Sequence, residues 1–153
     1  MSCTRVMGSI MMGFSPILWH FMLVNGPKIG QDIEQDILNR LSAHRHKRQP
    51  HLAIVQVGNH PASTLYIKNK QLACDRVGIQ CTLYTLESSL QSSDLIAHIH
   101  TLNCDPGIDG LIVQLPLPSH IDTNFVLASI EPKKDIDGLH PENLGRLMHG
   151  TPY

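Results

Sequence analysis

The chain has 153 residues, a formal net charge of −1 and a charged fraction of 16%. This length suits one domain with a single core, and the low charge argues against a nucleic-acid partner. The four cysteines form no C-x-x-C pair, so we expect reduced thiols that fill small apolar spaces in a cytoplasmic protein.

Residues 1–21 resemble a leader more than a part of the domain. The stretch from Val6 to Trp19 is uncharged, but two glycines and a proline interrupt it and no A-x-A-like cleavage site follows. It is also too weakly apolar for a membrane span, which needs about 20 strongly apolar residues. We therefore expect Met22 to be the natural start, residues 1–21 to be disordered or a mis-assigned leader, and no contact with a membrane.

Strands and helices alternate along the remaining chain. A short strand is predicted at Phe21–Val24, and apolar residues at every fourth position from Ile29 to Leu41 predict an amphipathic helix from about Lys28 to His46. The other predicted elements are a buried strand at Leu52–Val57, a helix at Ala62–Val77 with Gly78 as its C-terminal cap, a strand at Ile79–Leu86, a helix at Leu90–Asn103, a strand beginning at Gly110, a helix capped by Asp122, a charged loop at Pro132–Gly138 and a short helix at Pro141–Met148.

This order of elements predicts an α/β fold of one domain. Strands separated by helices imply right-handed crossovers and a mostly parallel sheet with helices on both faces, in three layers. The basic run His44–Arg48 is interpreted as the solvated C-terminal end of the first helix, where the helix dipole favours cations.

The strand that begins at Gly110 is expected to deliver a functional side chain. Its aliphatic residues carry no charge, which indicates burial on both faces of a sheet. The strand leads into Gln114, after which Pro116 and Pro118 favour an extended, non-helical segment. Gln114 is therefore predicted at the carboxyl edge of the sheet, where open α/β sheets bind their ligands.

The second helix carries a polar stripe of Ser63, Tyr66 and Lys70. At about 100° per residue these three positions fall within an arc of about 60°. The stripe could be an ordinary solvated face, although Ala73 and Val77 continue the same arc. Partial burial beside an amide and a phenol would instead make Lys70 usable as an acid or base near neutral pH.

Asp135 and Asp137 form a second candidate site in the charged loop. Their carboxylates could be solvated, could bind a cation, or could accept paired hydrogen bonds from an amino-heterocycle. Two ligands alone make a poor calcium site, and the closest histidine pairs are two residues apart on predicted helices and so point in different directions. We therefore expect no metal site.

Five ordered motifs together resemble one family, the bifunctional methylenetetrahydrofolate dehydrogenase/cyclohydrolases of one-carbon metabolism. The resemblance covers about residues 22–150. The motifs are Val57-Gly58 through Pro61-Ala62-Ser63, Tyr66-Ile67-Lys68-Asn69-Lys70, Leu102-Asn103-x-Asp105 leading through Asp109-Gly110-Leu111-Ile112-Val113 to Gln114-Leu115-Pro116-Leu117-Pro118, Lys134-Asp135-Ile136-Asp137-Gly138, and Asn143-x-Gly145-Arg146-Leu147.

The resemblance implies a role for each candidate residue. It implies that Lys70 is the catalytic acid/base, that Tyr66 packs on and orients the folate, and that Gln114 positions Lys70. It also implies that Asp137 grips the pterin, that Ser63 supports the same pocket, and that Leu115 and Pro116 form a wall of the cleft. The implied chemistry is hydride removal from 5,10-methylenetetrahydrofolate and then attack of water on the methenyl cation, which gives 10-formyltetrahydrofolate.

The resemblance also implies a second domain and a partner. Residues 22–150 would be the folate-binding catalytic domain, and residues 151–153 would begin the linker to a Rossmann domain that binds NADP or NAD. The sequence contains no G-x-G-x-x-G motif and no P-loop, so we expect the chain to be a fragment or a truncated product that lacks the dehydrogenase half. A homodimer is expected because the family is commonly dimeric.

Two alternatives to a catalytic domain stay open. A non-catalytic folate-binding module would bind folate without turnover, and a structural α/β domain that supplies an oligomer interface would dimerise without any folate affinity. The sequence departs from the family's usual pattern at Asn25-Gly26, where Asp-Gly is more common, and at His51, which replaces a glycine. Both departures are peripheral to the predicted pocket.

Overall fold

The computed structural model describes residues 25–43 and 48–152. Within these ranges, three strands alternate with helices along the chain, as the sequence predicts. The elements, in chain order, are α1 (Gly26–Ala43), β1 (His51–Val57), α2 (Pro61–Val77), β2 (Gln80–Leu86), α3 (Ser92–Cys104), β3 (Gly110–Val113), α4 (Thr123–Leu127) and α5 (Pro141–Met148).

The three strands form one parallel sheet in the order β2-β1-β3. The central strand β1 pairs with β2 along its whole length, from His51 opposite Gln80 onward, and with β3 from Leu52 opposite Gly110 onward. Parallel strands require long crossover connections, and α2 and α3 provide them. The predicted α/β fold with a parallel sheet is confirmed.

Apolar side chains cover both faces of the sheet because successive residues of a strand point to opposite sides. On one face, Val55 belongs to a large cluster that includes residues of α3 and α4. On the other face, Ile54 packs with Ile67 of α2 and Ile112 of β3. All of these side chains are buried, so the three-layer arrangement is confirmed.

Helix α1 begins two residues earlier than predicted because Asn25 caps it, with its Oδ1 accepting a hydrogen bond from Lys28 N at 3.1 Å. Its apolar stripe is not buried, since Ile29 and Ile33 remain 47% and 55% exposed. It contacts the sheet's covering helix α2, where Arg76 pairs with Glu34 at 2.6 Å. The last predicted residues of this helix, 44–46, and the predicted strand at residues 21–24 lie outside the described residues.

Four other expectations need correction. Of the basic run predicted as a solvated helix end, only Arg48 is described; it is not helical, and although its side chain is about half exposed it pairs with Asp109. Helix α3 begins at Ser92 and not at Leu90, since Leu90 N bonds Glu87 O in the preceding turn. The other differences are boundary shifts at β2, which starts at Gln80, and at α4, which Asp122 caps as predicted but which ends at Leu127 before Ile130.

The cysteines differ in their surroundings. Cys74 is buried and Cys81 is half-buried, as expected of small apolar fillers, but Cys104 is exposed. Burial is the largest effect that raises the pKa of the Cys81 thiol, to about 11, so this thiol stays protonated at neutral pH.

Within residues 25–43 and 48–152, no helix is long and apolar enough to cross a membrane.

Candidate active site

A cavity of about 330 Å³ lies at the carboxyl edge of the sheet, between the start of α2 and the exit from β3. This volume is within the range typical of small-molecule sites. The cavity brings together all of the predicted site residues except Asp137, which approaches from one side. Its lining residues are Ala62, Ser63, Tyr66, Lys70, Gln114, Leu115 and Pro116.

The polar stripe of α2 changes from buried to exposed within two turns. Ser63 is only 3% exposed, whereas Tyr66 is 64% exposed and the side chain of Lys70 is 34% exposed. An evenly solvated face would not bury its first member, so the solvated-face interpretation does not describe Ser63. The aromatic ring of Tyr66 instead lies at the mouth of the cavity, with Lys70 one turn further along the helix.

The carbonyl of Leu115 fixes the polar groups at the base of the cavity. It accepts one hydrogen bond from Ser63 Oγ at 3.2 Å and another from Gln114 Nε2 at 2.8 Å. The backbone of Gln114 is held separately, because its N–H donates to Val55 O at 2.8 Å and so extends the pairing of β3 with β1. The Leu115–Pro116 peptide bond is cis.

This arrangement leaves one acceptor without a partner. Gln114 Oε1 is buried, and no group within the described ranges donates a hydrogen bond to it. A buried polar atom without a partner costs about 1–3 kcal/mol, and each such atom in a native fold has an explanation such as strain, a catalytic role, or a bound water or ion. Among the described residues His98 Nε2 and Asn143 Oδ1 share this state, but of the three only Gln114 Oε1 belongs to a residue that lines the cavity. Gln114 does not bond Lys70 directly, so the expectation that it positions this lysine stays a prediction.

Lys70 has its charge partner on the charged loop. Its Nζ lies 4.0 Å from Asp137 Oδ1, and both side chains are about one-third exposed. At this distance and exposure the pair is a weak ion pair, which a ligand could open without a large loss of stability. The loop therefore places a carboxylate beside Lys70, which is the only amine among the residues that line the cavity.

The two aspartates of the loop have different environments, which their spacing does not reveal. Asp135 accepts hydrogen bonds from His140 N at 2.8 Å, Asn143 Nδ2 at 2.9 Å and Gly138 N at 3.1 Å, so it holds the backbone. Asp137 has no such bonds among the contacts of the described chain. Sequence reasoning missed the role of Asp135, and the nearby Asn143 motif was the signal available for it.

Cation binding gains no support from these carboxylates. The described ranges contain no group of three or more His, Cys, Asp or Glu side chains placed to hold a metal ion. Asp135 already uses its oxygens on backbone and amide donors. Of the three interpretations of the loop, an acceptor for the N–H groups of a heterocycle is compatible with the position of Asp137.

The described residues do not fit a dinucleotide diphosphate. Dinucleotide-binding folds place a glycine-rich turn and a helix N-terminus with free N–H groups after their first strand. Here the turn after β1 contains a single glycine, Gly58, with φ of 74°, and Pro61 removes a donor at the start of α2. The cavity itself is lined by a phenol, an amine and an amide.

Comparison with known proteins gives consistent matches. Residues 24–137 match the family described as tetrahydrofolate dehydrogenase/cyclohydrolase, catalytic domain. The chain is 45% identical over 126 residues to the bifunctional protein FolD of Helicobacter hepaticus, covering 82% of this chain and 44% of that protein. It is 42% identical over 131 residues to that of Vesicomyosocius okutanii, covering 86% and 47%.

Solved structures agree with the sequence matches. The bifunctional FolD enzyme of Campylobacter jejuni is 38% identical, with a TM-score of 0.78 over 80% of this chain and 44% of that one. A methylenetetrahydrofolate dehydrogenase of the silkworm Bombyx mori is 34% identical, with a TM-score of 0.81 over 83% and 44%. The dehydrogenase-cyclohydrolase of Trypanosoma brucei, complexed with NADP and an inhibitor, is 28% identical, with a TM-score of 0.76 over 82% and 43%. The chain thus spans less than half of the length of the curated relatives that it matches.

Proposed function

The chain belongs to the tetrahydrofolate dehydrogenase/cyclohydrolase family through its catalytic domain, and from this premise we propose that it supplies the folate site of such an enzyme. The observation that carries the proposal is the meeting of Lys70 with the unpartnered Gln114 Oε1 in one cavity, with Asp137 4.0 Å from the amine. A carboxylate and an amide oxygen can accept hydrogen bonds from the N–H groups of an amino-pyrimidine ring. An amine can take a proton from the water that attacks the reacting carbon.

The proposed position of the folate follows from exposure and polarity. The exposed ring of Tyr66 offers a flat surface on which a pterin can stack, and Leu115 and Pro116 supply an apolar wall. The carboxylate of Asp137 has acceptor capacity for the N–H groups of the pterin edge. The buried Gln114 Oε1 accepts a hydrogen bond either from the ligand or from the amine of Lys70.

The cyclohydrolase step is the one that the residues of this chain can perform. The methenyl carbon is already cationic, so attack by water needs mainly positioning and removal of a proton. We assign proton removal to Lys70, whose amine accepts a proton from the attacking water as the C–O bond forms. The new hydroxyl then loses its proton as the C=O bond forms and the bond from this carbon to one ring nitrogen breaks, and that nitrogen takes up a proton. Of the two protons of the water, one thus ends on the nitrogen and one is released as 10-formyltetrahydrofolate leaves.

Hydride removal from 5,10-methylenetetrahydrofolate needs a nicotinamide, which NADP or NAD supplies when bound. The Trypanosoma brucei relative is complexed with NADP, and a second domain would have to hold the equivalent cofactor here, since the described residues do not fit it. The expected homodimer and cytoplasmic location belong to the same proposal. Sedimentation of the purified chain would test the homodimer, with a monomer at all concentrations as the contrary result.

Replacing Lys70 with methionine tests the proposed function. We expect the hydrolysis of 5,10-methenyltetrahydrofolate to fall by about 10²–10⁴-fold, the usual contribution of a general acid or base, because methionine keeps the chain length but cannot accept a proton. The rate is measured from the loss of methenyl absorbance. The matched control is Lys68→Met on the exposed side of the same helix, which should hydrolyse at the wild-type rate.

Equal rates for Lys70→Met and wild type would reject the assigned role of Lys70. A second candidate function is favoured by the open mouth of the cavity, where Tyr66 is 64% exposed. A folate-binding module without catalysis would bind folate saturably, and neither variant would then change a turnover that is absent. Titration of folate binding alongside the rate measurement separates the two functions.

A further inference from the structure

Within residues 25–43 and 48–152, no hydrogen bond sets the position of the Asp137 carboxylate. Among the described residues its charge partner is Lys70, at 4.0 Å, and an ion pair this exposed has little power to hold a side chain. The backbone of the loop must therefore determine where Asp137 lies. The question is which contacts hold that backbone.

The residues before Asp137 are anchored firmly to their surroundings. Lys134 Nζ donates to three carbonyls at the end of α3, which are Asn103 O at 2.7 Å, Asp105 O at 2.8 Å and Leu102 O at 3.1 Å. Its own carbonyl accepts from Leu111 N at 2.7 Å, so the loop runs parallel to β3 through a bridge from Leu111 to Asp135. The loop thus behaves as a short extension of the sheet.

Ile136 lies between the two aspartates and over the start of β3. A Cβ on Gly110 would lie 2.5 Å from Ile136 Cγ1 and 2.6 Å from Ile136 Cδ1, well inside the separation of about 3.5–4.0 Å at which carbon atoms touch. Only glycine leaves this space. Ile136 is itself 57% exposed, so its contact with Gly110 contributes less to core burial than to the placement of the loop.

We propose that Gly110 is a positioning residue for the folate site, because the space above it lets Ile136 lie on β3 and so sets the position of Asp137 opposite Lys70. The proposal rests on the function proposed above. Lys134 and Asp135 are held by several short hydrogen bonds, whereas the backbone of Ile136 has one long bond to β3, from its N to Leu111 O at 3.4 Å. A side chain at position 110 therefore displaces Ile136, whose side-chain atoms must move by about 1 Å to restore an ordinary carbon separation, and the proposal is that Asp137 moves with it.

The test is Gly110→Ala in the full chain, with the affinity for 5-formyltetrahydrofolate measured by fluorescence titration. Weaker hydrogen bonds from the pterin edge to the charged Asp137 carboxylate should lower the affinity by about 10- to 100-fold. The double variant Gly110→Ala/Ile136→Ala removes both Ile136 atoms that the new Cβ would meet and leaves Leu52 Cδ1 at an ordinary contact distance of 3.4 Å. It should recover the affinity of Ile136→Ala alone.

Gly30→Ala is the matched control, because a Cβ there meets nothing within 4 Å and its helix α1 contributes no residue to the cavity lining; it should bind as wild type does. Wild-type affinity in Gly110→Ala, or a double variant that binds more weakly than Ile136→Ala alone, would overturn the proposal, the second outcome because it indicates general damage to β3. The recovery by Ile136→Ala is what a merely structural role of Gly110 would not produce.

A structural measurement separates this proposal from the proposed function. If the wild-type chain does not bind folate, the proposed function fails, and the amide resonances of Asp137 and Gly138 in ¹⁵N-correlated spectra decide the positioning. The positioning is supported if these resonances shift in Gly110→Ala and if their positions in the double variant match those of Ile136→Ala alone. Resonances that do not move in Gly110→Ala reject it.

Discussion

The side-chain amide of Gln114 is held in one orientation by a single hydrogen bond, from its Nε2 to Leu115 O. That bond leaves Oε1 buried without a donor from the described residues. In the absence of a ligand this acceptor lowers the stability of the fold. Gln114 is therefore a residue at which the requirements of the proposed site and of the unliganded fold differ.

Replacing Gln114 with leucine should separate these two requirements. The change removes a hydrogen bond with a net value of about 0.5–1.5 kcal/mol and an unpaired acceptor that costs about 1–3 kcal/mol, while Leu115 O keeps its bond from Ser63. We expect the free energy of unfolding, measured in urea, to stay level or rise by up to about 2 kcal/mol. The rate of 5,10-methenyltetrahydrofolate hydrolysis should fall.

The control for Gln114→Leu is Gln80→Leu, which makes the same change at an exposed position of β2. It should alter neither the free energy of unfolding nor the hydrolysis rate appreciably. A loss of stability at Gln114 larger than that at Gln80 would contradict the view that Oε1 lacks a partner.

Helix α2 carries both the polar stripe and the crossover from β1 to β2, so its end must be defined. It stops at Gly78, where φ is 77°, a left-handed conformation that glycine adopts without a steric penalty. Ile79 N then bonds Cys74 O at 2.9 Å and directs the chain into β2. The position of Lys70 depends on this geometry, since helix and strand are joined within two residues.

Replacing Gly78 with alanine should destabilise the domain through this cap. A Cβ in the left-handed region costs about 1–2 kcal/mol, although no neighbouring atom blocks it here. We expect a lower urea midpoint by that amount with an unchanged m-value. Gly30→Ala, inside α1, should instead raise stability by about 0.5–1 kcal/mol, and destabilisation by both changes would indicate that the left-handed cap is not the cause.

Arg48 joins two segments of the domain at the edge of the sheet where the strands begin. Its guanidinium makes two bonds to Asp109, at 2.7 and 2.8 Å, and a third to Pro106 O at 2.7 Å. Asp109 also accepts from His51 N at 2.9 Å. The segment before β1 and the turn before β3 are thus held together at the end of the sheet opposite the cavity.

This contact should make stability depend on pH. Burial acts to raise the pKa of Asp109, but the hydrogen bonds from Arg48 and His51 together lower it below its usual value. A depressed carboxyl pKa contributes stability above the unfolded value of about 3.9, and that contribution is lost as the pH falls through the folded pKa. We expect Asp109→Asn to be less stable than wild type at pH 7.

The difference in free energy of unfolding between wild type and Asp109→Asn should close as the pH falls below the unfolded value of about 3.9 and through the lower folded pKa, as measured by urea titrations at a series of acidic pH values. In the background of Arg48→Gln, the Asp109→Asn change should cause a smaller difference in free energy of unfolding at pH 7. The double variant should therefore lose less free energy of unfolding than the two single variants lose in sum. A constant difference at every pH would show that the charge of Asp109 is not involved.

The sequence by itself determined the elements and the residues that could matter. Uncharged aliphatic strands alternating with helices dictate a parallel sheet, because buried strands and long crossovers allow few other arrangements. Gly78 and Asp122 mark helix ends through their own local chemistry. The helical period places Ser63, Tyr66 and Lys70 on one stripe, and the motifs indicate the family.

Only the tertiary structure decided how those residues are used. The spacing of Asp135 and Asp137 treats them alike, yet one binds three backbone and amide donors and the other faces Lys70. Gly110 carries no signal in a strand pattern, because its value lies in the space it leaves for Ile136. Such contacts join parts of the chain that are distant in sequence, so no local pattern encodes them. The exposure of α1 has the same origin, because α2 covers the sheet and α1 contacts α2.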